Sequence, residues 1–300
     1  MLTVLRPVVV GWDGSSRSIA AADWAAREAL RRGLSLQVMQ AWEGVTSPCD
    51  RERPELNAPR CLARHALTDA ADGIRATYPK LSVSTRHVAG SATDVLIAVG
   101  AEAELLVLGS RAVSGVGGFI AGSVAQVVVG HVARPVVLVR ERGTLEDEHL
   151  PDADGRPSTH TPYRDVVVGV DPGSASEELL AFAFESAALR DAPLRVVHTW
   201  RPPYVQAAAV ARAHRAVAAS AARSLAAAVA PWREKFPSVE VHELVLEGRA
   251  SEALPTAGQE AGLLVVGRRI RVGRLGAHTG SVAHAAIHHA RCPVVVVAHE

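Results

Sequence analysis

The residues most suited to chemistry in this chain lie in a glycine-rich stretch, GSRAVSGVGGFIAGSVAQ, at 109–126, directly after an apolar run at 105–108. Gly122 and Ser123 stand where a helix is predicted to begin. A hydroxyl at a helix N-terminus, together with free backbone N–H groups, forms a natural anion site. Glycine also lets the backbone approach phosphate oxygens closely. The stretch therefore predicts a phosphate cradle.

This stretch differs from two widespread phosphate-binding motifs. No Gly-Lys-Ser or Gly-Lys-Thr follows it, and the only lysines of the chain are Lys80 and Lys235. It also lacks the GxGxxG turn after a first strand that marks dinucleotide binding. Spacing alone thus favours an anion site without assigning it to either class.

The chain contains one unit twice. A shift of 158 residues, which carries 109 to 267, also places 8–13 over 166–171, 122–124 over 280–282 and 135–137 over 293–295. Such self-similarity indicates a duplicated domain. We predict domains at 1–140 and 165–300. The segment between them, 141–164, is rich in charge, proline and glycine and is predicted to be an exposed linker.

The cradle must be positioned by the elements around it, and each half alternates apolar runs with helical patterns. In the first half we predict strands at 7–11, 36–41, 82–88, 105–108 and 135–139, and helices at 18–32, 60–77, 92–101 and 123–131. In the first helix the predicted buried stripe is Ile19, Ala22, Ala26 and Leu30. Strands of consecutive Val and Leu separated by helices predict a five-stranded parallel sheet covered on both faces. Ligands of such sheets bind beyond the carboxyl ends of the strands.

Composition indicates which binding partners and which cellular compartment to expect. The formal net charge of +1 gives no general attraction to nucleic acid or anionic membranes. The three cysteines show no CxxC spacing, which fits a reducing compartment. The N-terminus shows no charged leader, and no uncharged apolar stretch is long enough to cross a bilayer. We expect a cytoplasmic protein that binds neither nucleic acid nor membranes.

The ordered landmarks resemble the universal stress proteins. The family's nucleotide-binding members carry Gly, two residues, Gly, nine residues, then Gly-Ser or Gly-Thr. Both halves match this pattern except at its second glycine, and both share the openings VVVGWDGS and VVVGVDPGS and the ends HVARPVVLV and HARCPVVVV. The resemblance implies two Rossmann-like domains of the adenine nucleotide alpha-hydrolase-like type that bind ATP, with or without Mg²⁺.

The resemblance also implies a set of nucleotide-binding residues. They are Asp13, Ala41, Gly109, Ser110, Arg111, Gly122, Ser123 and Val124 in the first half, and Asp171, Thr199, Gly267, Arg268, Gly280, Ser281 and Val282 in the second. Ala41 and Thr199 take the position that lines the adenine slot in the family. The two aspartates would hold the ribose or a divalent cation. The alternative, left open by the Asp-Gly-Ser-Ser sequence, is that Asp13 caps the following helix.

Both halves depart from the family at the second glycine, where Ala112 and Ile270 stand. A positive φ there would cost Ala112 on the order of 1 kcal/mol. Branched Ile270 would cost more and would crowd its cavity, so the first half is expected to be the better site. The arginines of the second loop either compensate on the phosphates or only keep the loop solvated; they are Arg268, Arg269, Arg271 and Arg274.

Two other features are weighed against simpler explanations. Trp12 could stack near a base, but packing against a helix is favoured. His284 and His288 are spaced i, i+4 on one helical face, yet no third metal ligand stands at a diagnostic spacing. A surface or interface helix is therefore favoured over a metal site.

No nucleophile–base pair stands out, so we expect a protein that is not an enzyme, or at most a slow ATPase. The function predicted is ATP binding in a stress-response or regulatory role. The alternative is a nucleotide-free module for dimerisation and partner docking. The Val-rich last strands of the two halves are predicted edges, and edges demand a partner. By resemblance, the two halves pair with each other as a pseudo-dimer, and a homodimer of whole chains stays open.

Overall fold

The fold is taken from a computed structural model that describes residues 5–43, 54–110, 123–141, 143–174, 177–202, 210–270 and 279–300, with side chains from 62 and 214 onward in the helices that begin at 54 and 210. Internal contacts divide the chain into two compact units that meet in sequence at Gly143 and Thr144. Each unit is an α/β domain. The predicted duplication is therefore visible as two compact units of the same architecture.

The first domain contains the predicted parallel sheet in the order β3-β2-β1-β4-β5. Its strands are β1 (Val8–Gly11), β2 (Leu36–Trp42), β3 (Val83–Ala89), β4 (Leu105–Ser110) and β5 (Val136–Arg140). Its helices are α1 (Ser16–Arg32), α2 (Pro54–Thr77), α3 (Ala92–Glu102) and α4 (Ser123–His131). All of its strand pairs are parallel, for example Val9 beside Gln37 and Leu106.

The second domain repeats this arrangement in the order β8-β7-β6-β9-β10. Its strands are β6 (Val166–Gly169), β7 (Leu194–Trp200), β8 (Val241–Glu247), β9 (Leu263–Arg269) and β10 (Val294–His299). Its helices are α5 (Glu177–Ala188), α6 (Val210–Lys235), α7 (Ala250–Ala257) and α8 (Ser281–His289). Consecutive residues of the central strands are buried, as at Val166, Val167 and Val168. Because successive side chains point to opposite faces, both faces of the sheet are covered.

Helix α1 shows where the sequence pattern was only partly correct. Ser15 caps its start by accepting a hydrogen bond from Ser18 N, and Gly33 ends it with φ +64°. The buried face consists mainly of alanines, whereas Ile19 and Leu30 are 55% and 38% exposed. The predicted stripe is therefore wrong at its two largest members. Small alanine side chains let the helix backbone lie close to the sheet.

The segment predicted as an exposed linker is partly buried. Its residues from Thr144 onward belong to the second domain. His149 and Tyr163 form an antiparallel bridge, Leu150 N donates to Pro162 O at 2.9 Å, and Glu148 and His149 are 3% and 6% exposed. The prediction of exposure is wrong for these two residues, because backbone pairing across the segment supplies order that composition does not reveal.

Candidate functional site

The first domain contains a cavity of about 550 Å³ at the carboxyl ends of its strands. It lies where the sheet order turns from β1 toward β2 on one side and β4 on the other, which is the expected ligand position for this architecture. Five of the predicted site residues line it; they are Asp13, Ala41, Gly109, Ser123 and Val124. The structure thus brings together residues from four separate segments. Arg111, Gly122 and Ala112 lie outside the described residues.

Asp13 lines this cavity and also organises the start of α1. Its Oδ1 accepts hydrogen bonds from the backbone N–H of Ser15 at 3.0 Å and from the Ser15 hydroxyl, and Arg17 Nη2 lies 3.7 Å from its Oδ2. Burial raises the pKa of Asp13, but the hydrogen bonds from Ser15 and Ser18 and the charge of Arg17 outweigh it, so the pKa is lowered. This carboxylate therefore holds Ser15, the residue that caps the helix, and it also lines the cavity, while its contact with a ribose or a cation stays a prediction.

Gly109 has a packing reason to be glycine. A Cβ at this position would lie 2.6 Å from the backbone oxygen of Arg17, so a side chain would collide with the first turn of α1. Ser110, the next residue, does not line the cavity. Its buried hydroxyl donates to Val139 O at 3.1 Å, and its contact with a nucleotide stays a prediction.

Two further residues that line the first cavity, Trp12 and Gln40, each bury a polar atom. The Trp12 Nε1 and Gln40 Oε1 atoms are buried and have no hydrogen-bond partner among the described residues, and both residues line the cavity. Buried polar groups nearly always have partners, so these two atoms are unusual, but neither is exposed to the cavity. Trp12 was expected to pack; Gln40 gave no signal, because its neighbours in sequence do not line up as a motif.

The second domain has a cavity of about 470 Å³ at the equivalent place. All the residues predicted for this half line it: Asp171, Thr199, Gly267, Arg268, Gly280, Ser281 and Val282. Asp171 accepts hydrogen bonds from Gly173 N at 3.1 Å and from the Ser174 hydroxyl at 3.2 Å, as Asp13 does from Ser15. Gly280 caps α8 with φ +80°, a conformation that favours glycine.

Ile270 does not behave as predicted. Its side chain is 40% exposed and does not line the second cavity. Among the described residues, Asp191 is the one non-glycine residue with a positive φ, so Ile270 carries no such strain. The expectation that Ile270 crowds the cavity is wrong, and it gives no reason to rank the second site below the first.

The histidines of α8 lie close together. The rings of His284 and His288 are 4.1 Å apart, and burial, followed by the charges of His288 and His289, lowers the pKa of His284. Across the described parts of the chain, no group of three or more His, Cys, Asp or Glu side chains could hold a metal ion. Within those same parts, no helix is long and apolar enough to cross a membrane.

Comparison with known proteins defines the class. A sequence model of the universal stress protein family matches residues 5–140 and 162–298. The chain therefore belongs to the universal stress protein family and contains two family domains.

Individual relatives have the same two-domain length. Universal stress protein Rv2005c of Mycobacterium tuberculosis is 32% identical over 296 residues, which cover 96% of each chain. Universal stress protein Rv2623 of the same organism is 30% identical over 299 residues, covering 96% of this chain and 95% of the relative. The crystal structure of a universal stress protein from Archaeoglobus fulgidus aligns with a TM-score of 0.67 at 17% identity, covering 97% of this chain and 98% of that one, and shows the fold.

Proposed function

We propose that this protein binds adenine nucleotide, ATP with or without Mg²⁺, in the cavity of each domain and acts as a stress-response regulator without catalytic turnover. The observation that carries the proposal is that the predicted residues come together in space. Residues chosen from motifs far apart in sequence line a single cavity in each domain, at the carboxyl ends of the strands. Cavities of this size suit a small-molecule ligand.

The chemistry at the rim of each cavity supports a binder of phosphate. Helices α4 and α8 begin at Ser123 and Ser281, which line the two cavities, and a helix N-terminus presents N–H groups and a positive dipole end to an anion.

The absence of turnover is proposed because the hydroxyl–carboxylate pairs in the cavities have local structural partners. Ser15 caps α1 while it hydrogen-bonds Asp13, and Ser174 bonds Asp171 within the turn that precedes α5. A nucleophile needs a base that is free to take its proton, and these carboxylates serve the start of the following turn.

The test measures nucleotide stoichiometry in matched variants. Ser123→Glu and Ser281→Glu place a carboxylate in the first turn of α4 or α8, where it favours the helix but repels phosphate. Each variant should bind one equivalent of Mg-ATP fewer than the parent chain in calorimetry, with at least about tenfold weaker affinity at the altered site. The controls are Val127→Glu and Ala285→Glu, which add the same charge one turn later at residues that do not line a cavity.

The outcomes separate the candidate functions. Binding of two equivalents without release of ADP over hours supports the proposal. A parent chain that binds no Mg-ATP would instead support a nucleotide-free docking module, and steady ADP release would make the protein an ATPase. Loss of binding in the controls as well would show that added charge, and not the cavity, causes the effect.

Pairing of the two domains through their last strands stays a prediction from sequence and resemblance. In each domain taken alone, β5 or β10 ends the strand order. Hydrogen exchange on the intact chain tests the pairing. Protection of every amide in both strands is expected from pairing, whereas rapid exchange of those that β4 or β9 does not bind would contradict it.

A further inference from the structure

A further cavity lies between α2 and β3, where β3 ends the sheet order of the first domain. Its volume is about 300 Å³. Four of the five described residues that line it have polar side chains; the five are Arg64, Leu67, Thr68, Thr85 and His87. None of these five lines the nucleotide cavity proposed for this domain. We call this separate cavity the α2–β3 groove.

The spacing of these residues along α2 and β3 explains why they meet. Arg64, Leu67 and Thr68 stand at positions i, i+3 and i+4 of α2, so they share one face of the helix. Thr85 and His87 stand two residues apart on β3, so they share one face of the sheet. Leu67 is buried, which fixes this face of α2 against the domain. The polar side chains around it are therefore held beside those of β3.

The permanent charge of the groove comes from Arg64, and none of the described lining residues is a carboxylate. Arg86, which stands between Thr85 and His87, points to the opposite face of the sheet, because successive side chains of a strand alternate. There its Nη1 lies 3.0 Å from Glu102 Oε2 of α3. The ion pair formed by β3 is therefore on the other side of the sheet from the groove.

The other polar residues of the groove supply hydrogen-bond donors. The Thr68 hydroxyl donates to Arg64 O at 3.0 Å, and rotation about its C–O bond can turn the proton toward a ligand. Thr85 adds a second hydroxyl, and His87 adds an imidazole whose ring centre lies 6.1 Å from that of Trp42. A guanidinium, two hydroxyls and an imidazole around one cavity form a donor set that suits the oxygens of a phosphate group.

The equivalent residues of the second domain have different chemistry. Under the 158-residue shift Leu67 corresponds to Leu225, and both leucines are buried. The carboxylate of Glu243, which takes the place of Thr85, pairs with Arg233 at 2.9 Å. The leucine thus serves packing in both domains, whereas the donors around it are particular to the first domain. The residues that replace the four polar ones are Ala222, Ala226, Glu243 and Val245.

We propose that the α2–β3 groove binds a phosphate group, as the inorganic ion or as a small phosphate monoester, at a site separate from the two nucleotide cavities. The inference goes beyond the proposed nucleotide binding and does not depend on it. The guanidinium of Arg64 would hold phosphate oxygens through charge-assisted hydrogen bonds, which are stronger than neutral ones. The hydroxyls of Thr68 and Thr85 and the ring of His87 would bind the remaining oxygens.

The test follows the ring-proton resonances of His87 in the full chain by nuclear magnetic resonance. One titration uses sodium phosphate and another uses glycerol phosphate, with sodium chloride holding the ionic strength constant, because screening alone weakens charge interactions. His87→Gln identifies the resonances by their loss. At least one of the two ligands should shift them in a saturable way. The ligand that binds more tightly identifies the occupant as the inorganic ion or as a monoester.

Variants of the lining residues locate the bound phosphate. Arg64→Gln should weaken binding at least about fivefold, because it removes a charge-assisted donor. Thr85→Val removes one hydroxyl at nearly constant shape and should weaken it about threefold. The control is Arg223→Gln, which makes the same change at an exposed arginine of α6 that lines neither the groove nor the second cavity, and it should leave the affinity unchanged. Circular dichroism of each variant verifies the fold.

The results decide this inference independently of the proposed function. Saturable shifts of the His87 resonances that weaken in Arg64→Gln and persist in Arg223→Gln would support a phosphate site in the groove. Shifts that persist unchanged in both Arg64→Gln and Thr85→Val would place the anion elsewhere and overturn the inference. The absence of a saturable shift with either ligand would also overturn it, whether or not the chain binds Mg-ATP in calorimetry.

Discussion

The two glycines at the ends of β4 and β9 show how one repeated backbone can be used in two ways. Above Gly109 lies the backbone of Arg17, so the first turn of α1 closes directly over the strand end. Above Gly267 lies the imidazole of His299, the far end of a side chain. Glycine at the strand end therefore leaves room for the first turn of α1 in the first domain and for the imidazole of His299 in the second. The two domains share the same backbone arrangement, but local packing determines which side chains reach each cavity.

The largest effect should come from adding a methyl group at these two positions. Gly109→Ala should lower the free energy of unfolding by about 2–3 kcal/mol, because backbone atoms 2.6 and 2.7 Å from the new Cβ cannot move without shifting α1. Gly267→Ala should cost about 1 kcal/mol, because an imidazole can turn aside. Urea unfolding of both variants measures the difference.

Removal of the ring is the control for this comparison. His299→Ala should erase most of the cost of Gly267→Ala in a double-mutant cycle and leave the cost of Gly109→Ala unchanged. Equal costs at the two glycines would contradict the distinction between backbone and side-chain contact.

A smaller effect is expected at Gln40, which lines the first cavity. Gln40→Met removes a buried amide whose Oε1 has no partner among the described residues, so the unliganded protein should gain up to about 1 kcal/mol of stability. The same change should weaken nucleotide binding at the first site only. Thermal unfolding and calorimetry of the Ser281→Glu chain, with and without Gln40→Met, measure both effects. A loss of stability without ligand would mean that the amide has a structural role.

The smallest effect should come from the pH dependence at Asp13. Its folded-state pKa lies below the unfolded value of about 3.9, so its stabilisation is present above that value and is lost as pH falls through the folded pKa. Asp13→Asn should cost less than about 1 kcal/mol near neutral pH, since the side chain is 63% exposed. Acid titrations of unfolding should show the parent and variant converging below pH 4. A constant gap at all pH values would rule out the ionised carboxylate as the cause.

Much of the fold could be predicted because it depends on local pattern. Runs such as Val8–Val10 and Val166–Val168 indicate strands buried on both faces. Because the chain contains the domain twice, each such pattern occurs in both halves. The buried face of α1 could not be predicted. Its apolar surface is broad, so docking against the sheet decided which arc is covered and left Ile19 and Leu30 exposed. The burial of His149 depended on pairing with Tyr163, which composition does not show.

The sequence by itself determined the duplicated α/β architecture, the family, and the glycine-serine segments that begin α4 and α8, since these follow from periodicity and from motifs contiguous in the chain. Only the tertiary structure decided that the Ser110 hydroxyl bonds Val139 O, that Gln40 and Arg268 line their cavities, and that Ile270 does not. These outcomes depend on contacts between residues distant in sequence. The surroundings of a side chain depend on the residues that pack against it, and a local sequence pattern does not identify those residues.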